Sequence, residues 1–377
     1  MFFLSVQIVY AILTLVLWMS WSRTPIFHEL GLVAGTKLSV ITVVRDEEDN
    51  IGMLLETIAA QTYPKHQFEV LVVNDFSTDA TAAIVRDFAG KAGFALRLLE
   101  LKDHLGHALP EGNYKKKAIE WAVSQADGEL MVTTDGDCQV PENWLAVVAA
   151  FHRHTRAQMI CGGVTFLANP SSFARWQTVE FASLIGSGAA TLRLGLPTLC
   201  NAANLAFTKQ AFLEVGGYQD TASTATGDDL FLMHKMYRRY PEKVLFLKSP
   251  HSVVRTSPQA TLAGFYQQRK RWASKWSLYK DKRVSWLAAF VFIANLLAVI
   301  GLLGVVFGKM SPTVFLAGVA IRWLVEWGFL SAVLCHLGKR GFIRWIPVVQ
   351  WTYPFYVVFF GLAAQKKGYR WKGRDLH

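Results

Sequence analysis

Two apolar blocks bracket a charged middle, and that arrangement constrains this chain more than any other feature of it. Apolar residues crowd the first twenty positions and the last ninety of 377, while charge gathers between them. Phe2 to Trp21 carries no charged side chain and is long enough to cross a bilayer as a helix. Nothing basic precedes it, and Trp18-Met19-Ser20-Trp21 makes a poor cleavage site, so a membrane helix is expected here, not a removed leader. Trp286 to Phe307 reads as a second span and Val314 to Cys335 as a third. The third contains Arg322 and Glu326, which share a helix face at that spacing and read as a structural ion pair turned toward other helices or, alternatively, as a functional intramembrane pair.

Phe342 to Ala364 is the last apolar stretch, and Pro347 and Pro354 are expected to break it. Arg23, His28 and Lys37 follow the first span, which places the N-terminus outside and the following domain in the cytoplasm of a multi-pass protein of the inner (plasma) membrane. Counting spans then puts the C-terminal tail outside. Yet the tail carries Lys366, Lys367, Arg370, Lys372 and Arg374, which prefer the inside, and a re-entrant or interfacial last segment would remove the conflict. The net charge of +11 fits this membrane reading and needs no nucleic acid partner. Cys138, Cys161, Cys200 and Cys335 form no metal-binding spacing and are read as reduced thiols.

The expected organisation is a membrane helix at 1–22, an α/β domain at 37–283, a membrane region at 284–365 and a basic tail at 366–377. Within the domain, strands are predicted at Lys37–Val44, Phe68–Val73, Leu96–Leu101 and Glu129–Thr134. Helices are predicted at Asp49–Gln61, Ser77–Phe88, Lys115–Ala126 and from Pro141 to Phe151. Such alternation implies a mostly parallel sheet with helices on both faces, whose ligand lies beyond the carboxyl ends of the strands. Asp46, Asp75, Asp135 and Asp137 all fall there, at the ends of three strands.

Thr133-Thr134-Asp135-Gly136-Asp137-Cys138 places two carboxylates one residue apart at a strand end, where Gly136 permits a sharp turn. Such hard oxygen donors suit Mg²⁺ or Mn²⁺ bridging a diphosphate; an ordinary acidic turn is the plainer alternative. In Val72-Val73-Asn74-Asp75-Phe76-Ser77-Thr78-Asp79, Asp75 is assigned to a base or ribose and Asp79 to the start of a helix. Lys115 is a candidate nucleotide contact or one of three lysines on a solvated face. Thr226-Gly227-Asp228-Asp229-Leu230 offers a carboxylate at a helix start; Asp228 is expected to cap the helix and Asp229 to act as a general base.

Gln268-Arg269-Lys270-Arg271-Trp272, followed by Lys275 and Trp276, precedes the second span. Arg271 has the forked donors that hold a diphosphate, and Trp272 a flat face for a sugar or acceptor; a basic-aromatic collar at the membrane interface is the alternative. Ser172 to Leu199 reads either as an interfacial helix or as core, and Asn204 either as a sugar contact or as a turn cap.

Taken in order, from about Leu38 to Trp276, these elements resemble glycosyltransferase family 2 with its GT-A fold. The resemblance identifies Asp46 with the nucleotide loop, Asp75 with the nucleotide-binding aspartate, Asp135 and Asp137 with the DxD, Asp229 with the catalytic base, and Gln268, Arg271 and Trp272 with QxxRW. The triplet before Leu230 is Gly-Asp-Asp where the family has Thr-Glu-Asp, so Asp228 shares the candidacy for base. It implies an inverting, metal-dependent transfer from a nucleotide-sugar, UDP-linked, to a hydroxyl of a lipid or glycan acceptor at the membrane. The tail Arg370-Trp371-Lys372-Gly373-Arg374 resembles that of members that glycosylate lipids. A processive polysaccharide synthase is the alternative within the family. Outside it stand a non-catalytic nucleotide-sugar-binding membrane protein and a transporter, whose site would lie at mid-membrane.

Overall fold

The computed structural model describes residues 1–29, 35–106, 114–219, 227–274, 281–365, 368–371 and 374–376. Thr226, Lys275, Trp276, Lys366, Lys367 and Lys372, all named above, lie outside the described residues, as does most of the loop before Lys115.

The chain opens with α1 (Phe2–Arg23) and enters an α/β unit of β1 (Leu38–Val44), α2 (Ile51–Ala59), β2 (Phe68–Asn74), α3 (Thr81–Ala89) and β3 (Ala95–Glu100). After the short α4 (Leu101–Leu105) come α5 (Tyr114–Gln125), β4 (Leu130–Thr133), β5 (Cys138–Gln139), α6 (Trp144–Thr155), β6 (Met159–Gly162) and β7 (Val164–Phe166). The second half holds α7 (Ser172–Arg193), β8 (Leu205–Thr208), α8 (Lys209–Glu214), α9 (Asp228–Arg239), β9 (Val244–Leu247), β10 (Val254–Thr256) and α10 (Leu262–Ala273). Three long helices follow, α11 (Lys282–Val306), α12 (Pro312–His336) and α13 (Ile346–Ala363), and then the paired strands β11 (Tyr369–Trp371) and β12 (Arg374–Leu376).

A seven-stranded sheet in the order β3-β2-β1-β4-β8-β6-β9 organises the unit. Pairings β3-β2, β2-β1, β1-β4 and β6-β9 are parallel; only β8 runs against its neighbours. β1 and β2 are β-branched and buried on both faces, as a central parallel strand must be. Alternate residues feed two cores. Val40, Val70, Val72 and Val132 pack under α2, α6 and α7, while Ile41, Leu71, Val73 and Met131 pack under α5 and α9. β5, β10 and β7 form a second, three-stranded sheet beside the end of β4. Every strand and helix expected in the first half is present. α3 starts at Thr81, later than Ser77, because Asp79 folds back: its carboxylate accepts from Thr81 N at 3.0 Å and from Glu48 N at 3.0 Å.

Among the described residues, four helices are long and apolar enough to cross a membrane: α1, α11, α12 and the combined segment Arg340–Ala363. α1 packs along α12, where Trp18 lies so close that a Cβ on Gly328 would fall 2.3 Å from its ring. The C-terminal end of α1 docks on the α/β unit. Lys248 Nζ donates to Trp21 O at 2.7 Å and to Thr24 O at 3.2 Å, an ammonium placed where a helix exposes its last carbonyls. Arg322 and Glu326 form the expected pair, Nε to Oε1 at 2.8 Å, turned inward with Asn295 and Gln350.

The last apolar stretch departs from expectation. Pro347 lies in the first turn of α13, where no N–H is needed, and Pro354 sits inside a helix that continues through it. Nor does α13 leave the α/β unit. Trp176 Nε1 donates to Thr352 Oγ1 at 2.7 Å, Tyr356 OH donates to Glu180 at 2.9 Å, and Phe360 meets Phe265 edge to face at 5.9 Å. The chain beyond returns to the unit: Lys270 Nζ bonds Gly368 O, and Arg374 reaches the end of β2. The described part of the tail therefore lies on the face that carries the strand ends. A tail carried away by a final crossing is not what the fold shows.

Ser172 to Leu199, open between an interfacial and a core role, forms α7, a mostly buried helix. It packs against both α1 and α12 and joins the membrane helices to the unit.

Candidate functional site

The carboxyl ends of β1, β2 and β4 lie side by side, and the chain leaves each through an acidic turn. After β4, Cys138 N bonds Asp135 O at 3.1 Å and closes the turn that holds Asp135 and Asp137. Gly136 is needed there for space. Its φ is not positive, but a Cβ would fall 2.8 Å from Val44 Cγ1 at the end of β1. Asp137 is aimed by the second sheet: Thr256, opposite Cys138 across β10 and β5, donates its hydroxyl to Asp137 Oδ2 at 3.0 Å.

Lys115, in the first turn of α5, donates from Nζ to Asp135 Oδ1 at 2.8 Å and stands 3.7 Å from Asp228 Oδ2. Burial pulls this ammonium down, but the charges of Asp135 and Asp228 outweigh it and hold Lys115 above its ordinary value. It is therefore tied into the acidic cluster, unlike a lysine on a solvated face. Asp228 and Asp229 both lie in the first turn of α9, and the cap is Gly227, not Asp228. Gly227 has φ 82°, and a Cβ there would fall 2.6 Å from the Phe231 ring, so the position demands glycine. Asp228 is thus released to pair with Lys115, while Asp229 Oδ1 accepts from Leu230 N at 2.7 Å.

One cavity of about 1290 Å³ collects most of these groups. Lys115, Asp135, Asp137, Asp228, Asp229 and Arg271 line its polar end, with Gln268, Trp272 and Arg374 on its wall. The other end is apolar and runs between α7, α11 and α13, past Phe181, Ile185, Phe292, Tyr356 and Phe360. Trp272 stacks on Phe181 with ring centres 5.7 Å apart, which holds the indole in place on the cavity wall.

Asp75 follows β2 directly, is fully buried, and receives both guanidinium nitrogens of Arg374, at 2.9 and 3.1 Å. Arg45 Nη1 bonds the carbonyls of Asp75 and Phe76, at 3.0 and 3.1 Å, and locks the turn in which Phe76 takes φ 54°.

Three expected contacts do not line the cavity: Asp75, covered by Arg374, and two that stand further apart. Asp46 is exposed, does not line the cavity, and spends Oδ1 on Thr78 N at 2.8 Å. Asn204 is buried in the frame: its amide donates to Gly163 O and Ser252 O at 2.8 and 2.7 Å, and its Oδ1 accepts from Trp144 Nε1 at 3.0 Å. It serves neither as a turn cap nor as a cavity contact.

Sequence reasoning passed over Arg269, the residue inside the Gln268–Trp272 motif that organises it. Arg269 pairs with Glu180 where both side chains are inaccessible, and it lies 4.2 Å from the centre of the Trp272 ring. The signal was a glutamate alone in the apolar stretch that became α7.

The sequence profile "Glycosyl transferase family 2" matches residues 39–216, and "Glycosyl transferase family group 2" matches 130–364, well over half of the chain. A dodecaprenyl-phosphate galacturonate synthase of Rhizobium johnstonii is 36% identical over 109 residues, 28% of this chain and 30% of that protein. A poly-beta-1,6-N-acetyl-D-glucosamine synthase of Staphylococcus epidermidis is 24% identical over 276 residues, 69% of this chain and 61% of that protein. The chain thus spans between about a third and three fifths of the length of these relatives. Among solved structures, a mannosyltransferase from Pyrobaculum calidifontis, in complex with GDP-Man and Mn²⁺, superposes with a TM-score of 0.55 at 18% identity, covering 97% of this chain and 100% of that one.

Proposed function

The chain belongs to the glycosyl transferase family 2 group, and we propose that it moves one sugar from a UDP-sugar to the hydroxyl of a lipid acceptor, with inversion, at the cytoplasmic face of the membrane. The observation that carries this reading is the continuity of the cavity. A single space joins an acidic cradle at the strand ends to an apolar slot between helices long enough to cross a bilayer.

The cradle fits a divalent cation bound together with a diphosphate. Asp135 and Asp137 offer hard oxygen ligands, and among the described residues no third carboxylate, histidine or cysteine joins them as a closed cage. Mg²⁺ in particular binds through one or two carboxylates plus substrate phosphates, and Mn²⁺ accepts the same oxygen set. The lining carries five carboxylates (Glu47, Asp135, Asp137, Asp228, Asp229) and five cationic side chains (Arg45, Lys115, Arg269, Arg271, Arg374), and the four aspartates gather at its polar end with Lys115 between Asp135 and Asp228. When bound, the cation would offset the charge of the Asp135 and Asp137 carboxylates and the charge developing on the departing nucleoside diphosphate.

The chain's own residues supply the rest. Asp75 holds the nucleoside. Arg271 presents its forked donors to the leaving diphosphate. Asp229, fixed at the start of α9, takes the proton as the acceptor oxygen attacks the anomeric carbon; the bond from that carbon to the diphosphate oxygen breaks as the new one forms. Trp272 lines the acceptor side, and the apolar slot holds the lipid chain out of water. The mannosyltransferase with GDP-Man and Mn²⁺ and the dodecaprenyl-phosphate galacturonate synthase support a nucleotide-sugar donor, a divalent metal and a lipid acceptor.

The test is transfer by the full chain in lipid nanodiscs with Mn²⁺, a panel of UDP- and GDP-sugars and a membrane lipid extract, read by mass spectrometry. A lipid bearing one added sugar is expected. A ladder of sugars would replace this reading with a processive synthase, and a failure with every donor would remove it.

A further inference from the structure

Asp75, the residue read above as the nucleoside's partner, is already occupied, and by the far end of the same chain. Arg374 lies 299 positions away, and its two terminal nitrogens take the two carboxylate oxygens, at 2.9 and 3.1 Å. The face of the guanidinium lies 4.0 Å from the centre of the Tyr114 ring. Tyr114 in turn meets Phe76, the residue after Asp75, edge to face at 6.0 Å. The slot therefore consists of a buried carboxylate that accepts and an aromatic face that stacks. A nucleobase presents a planar ring with N–H donors along one edge, and a guanidinium presents a plane with forked N–H donors. The two are interchangeable in such a slot.

The contact is built into the fold. Arg374 stands in β12 directly opposite Trp371 of β11, so its position is set by a paired strand. The strand pair is moored at its start, where Lys270 of α10 bonds the carbonyl of Gly368. Lys270 is the neighbour of Arg271, so the mooring point and the proposed diphosphate contact share one helix turn.

We propose that the carboxy-terminal strand pair is an internal competitor for the donor: Arg374 fills the nucleobase position of the resting enzyme, and the nucleotide binds by displacing it. This rests on the assignment of the nucleoside to Asp75. A guanidinium bonded to both carboxylate oxygens leaves no room for a base on the same edge, so donor affinity is reduced by the fraction of molecules in which the slot is closed. Release also frees β11 and β12, so donor binding and tail opening are coupled.

The experiment measures binding of UDP and of GDP, each with Mn²⁺, to the full chain in nanodiscs. Arg374→Ala is expected to bind the preferred nucleotide about tenfold or more tightly than the unaltered protein. Arg374→Lys, a point charge without the fork, is expected in between. Equal or weaker binding by Arg374→Ala overturns the competitor and makes Arg374 inert or a donor ligand. Trypsin cleavage after Arg374 supplies a second reading: nucleotide is expected to speed it, and protection by nucleotide overturns the proposal. Asp75→Asn, made in the Arg374→Ala background, separates the two ideas. If it weakens binding while Arg374→Ala gives no gain, only the competitor fails. If it has no effect, or if no variant binds either nucleotide, the nucleoside assignment fails and the competitor with it.

Discussion

Lys115 and Asp135 are joined by a 2.8 Å hydrogen bond at the centre of the cradle, on the carboxylate proposed to face the metal. The ammonium holds one oxygen of Asp135 and balances part of the charge of the aspartate cluster before any substrate arrives. A divalent cation held by Asp135 and Asp137 would add to this arrangement and would not start from bare carboxylates.

Metal removal should therefore abolish turnover without unfolding the site. With chelator, transfer is expected to fall at least about a hundredfold, and Mn²⁺ or Mg²⁺ to restore it. Asp137→Asn should show the same loss with no restoration. Initial rates against metal concentration check both, and full activity in chelator would remove the metal from the mechanism.

Asp229→Asn removes the proposed base while keeping the shape of the α9 start. Transfer is expected to fall about 10²- to 10⁴-fold, the usual contribution of a general base, with nucleotide affinity unchanged. Parallel binding and rate measurements decide it. If turnover survives in Asp229→Asn and is lost in Asp228→Asn, the role passes to Asp228, whose contact with Lys115 would then be part of the chemistry.

The apolar end of the cavity makes a separable prediction. Ala289 lines it from α11, far along the chain from the carboxylates that line the cavity. Ala289→Trp should fill the slot, lowering transfer to lipid roughly tenfold or more while slow hydrolysis of the donor by water continues at its former rate. Comparable losses in both would mean that the slot holds no acceptor.

Glu180 and Arg269 are expected to matter through stability. Both are buried, so Glu180→Ala leaves a guanidinium without a counter-charge away from water, a change that costs about 3–5 kcal/mol. A thermal melt in detergent should show a clearly lowered midpoint. Replacing both residues by apolar ones of similar volume should restore much of it.

Asp75 predicts a pH effect. Burial raises its carboxyl above the ordinary value of 3.8, and the contacts with Arg374 and Arg45 offset this only in part, while the nearby Asp46 adds to the rise. The folded protein thus takes up this proton more readily than the unfolded chain. The group's contribution to stability is present at low pH and is lost as pH rises through the folded value. The ion pair runs the other way, since it needs the charge. Acidification should release the strand pair with a midpoint above 3.8, seen as faster amide exchange in residues 369–376 after correction for intrinsic rates.

The fold was readable because its signals are local. β1 and β2 are runs of β-branched residues, each followed by a turn and an amphipathic helix, and their boundaries fall within a residue or two of expectation. The strand end that carries Asp135 and Asp137 and the helix start that carries Asp229 were readable for the same reason. What stayed hidden depends on residues distant in sequence. The partner of Asp75 is Arg374, that of Arg269 is Glu180, and Asn204 spends its amide on Gly163, Ser252 and Trp144. No periodicity encodes such pairs. Gly136 shows the same limit: its need for space comes from Val44 across the sheet edge, not from its own φ.

Lys248 clamps the end of α1 to the α/β unit through two backbone carbonyls. Where the first helix is seated in a bilayer, that clamp turns the height of the reaction centre above the lipid into a fixed length. On the proposed reading, a hydroxyl carried at the matching elevation would meet Asp229, while the same group on a longer stalk would overshoot it.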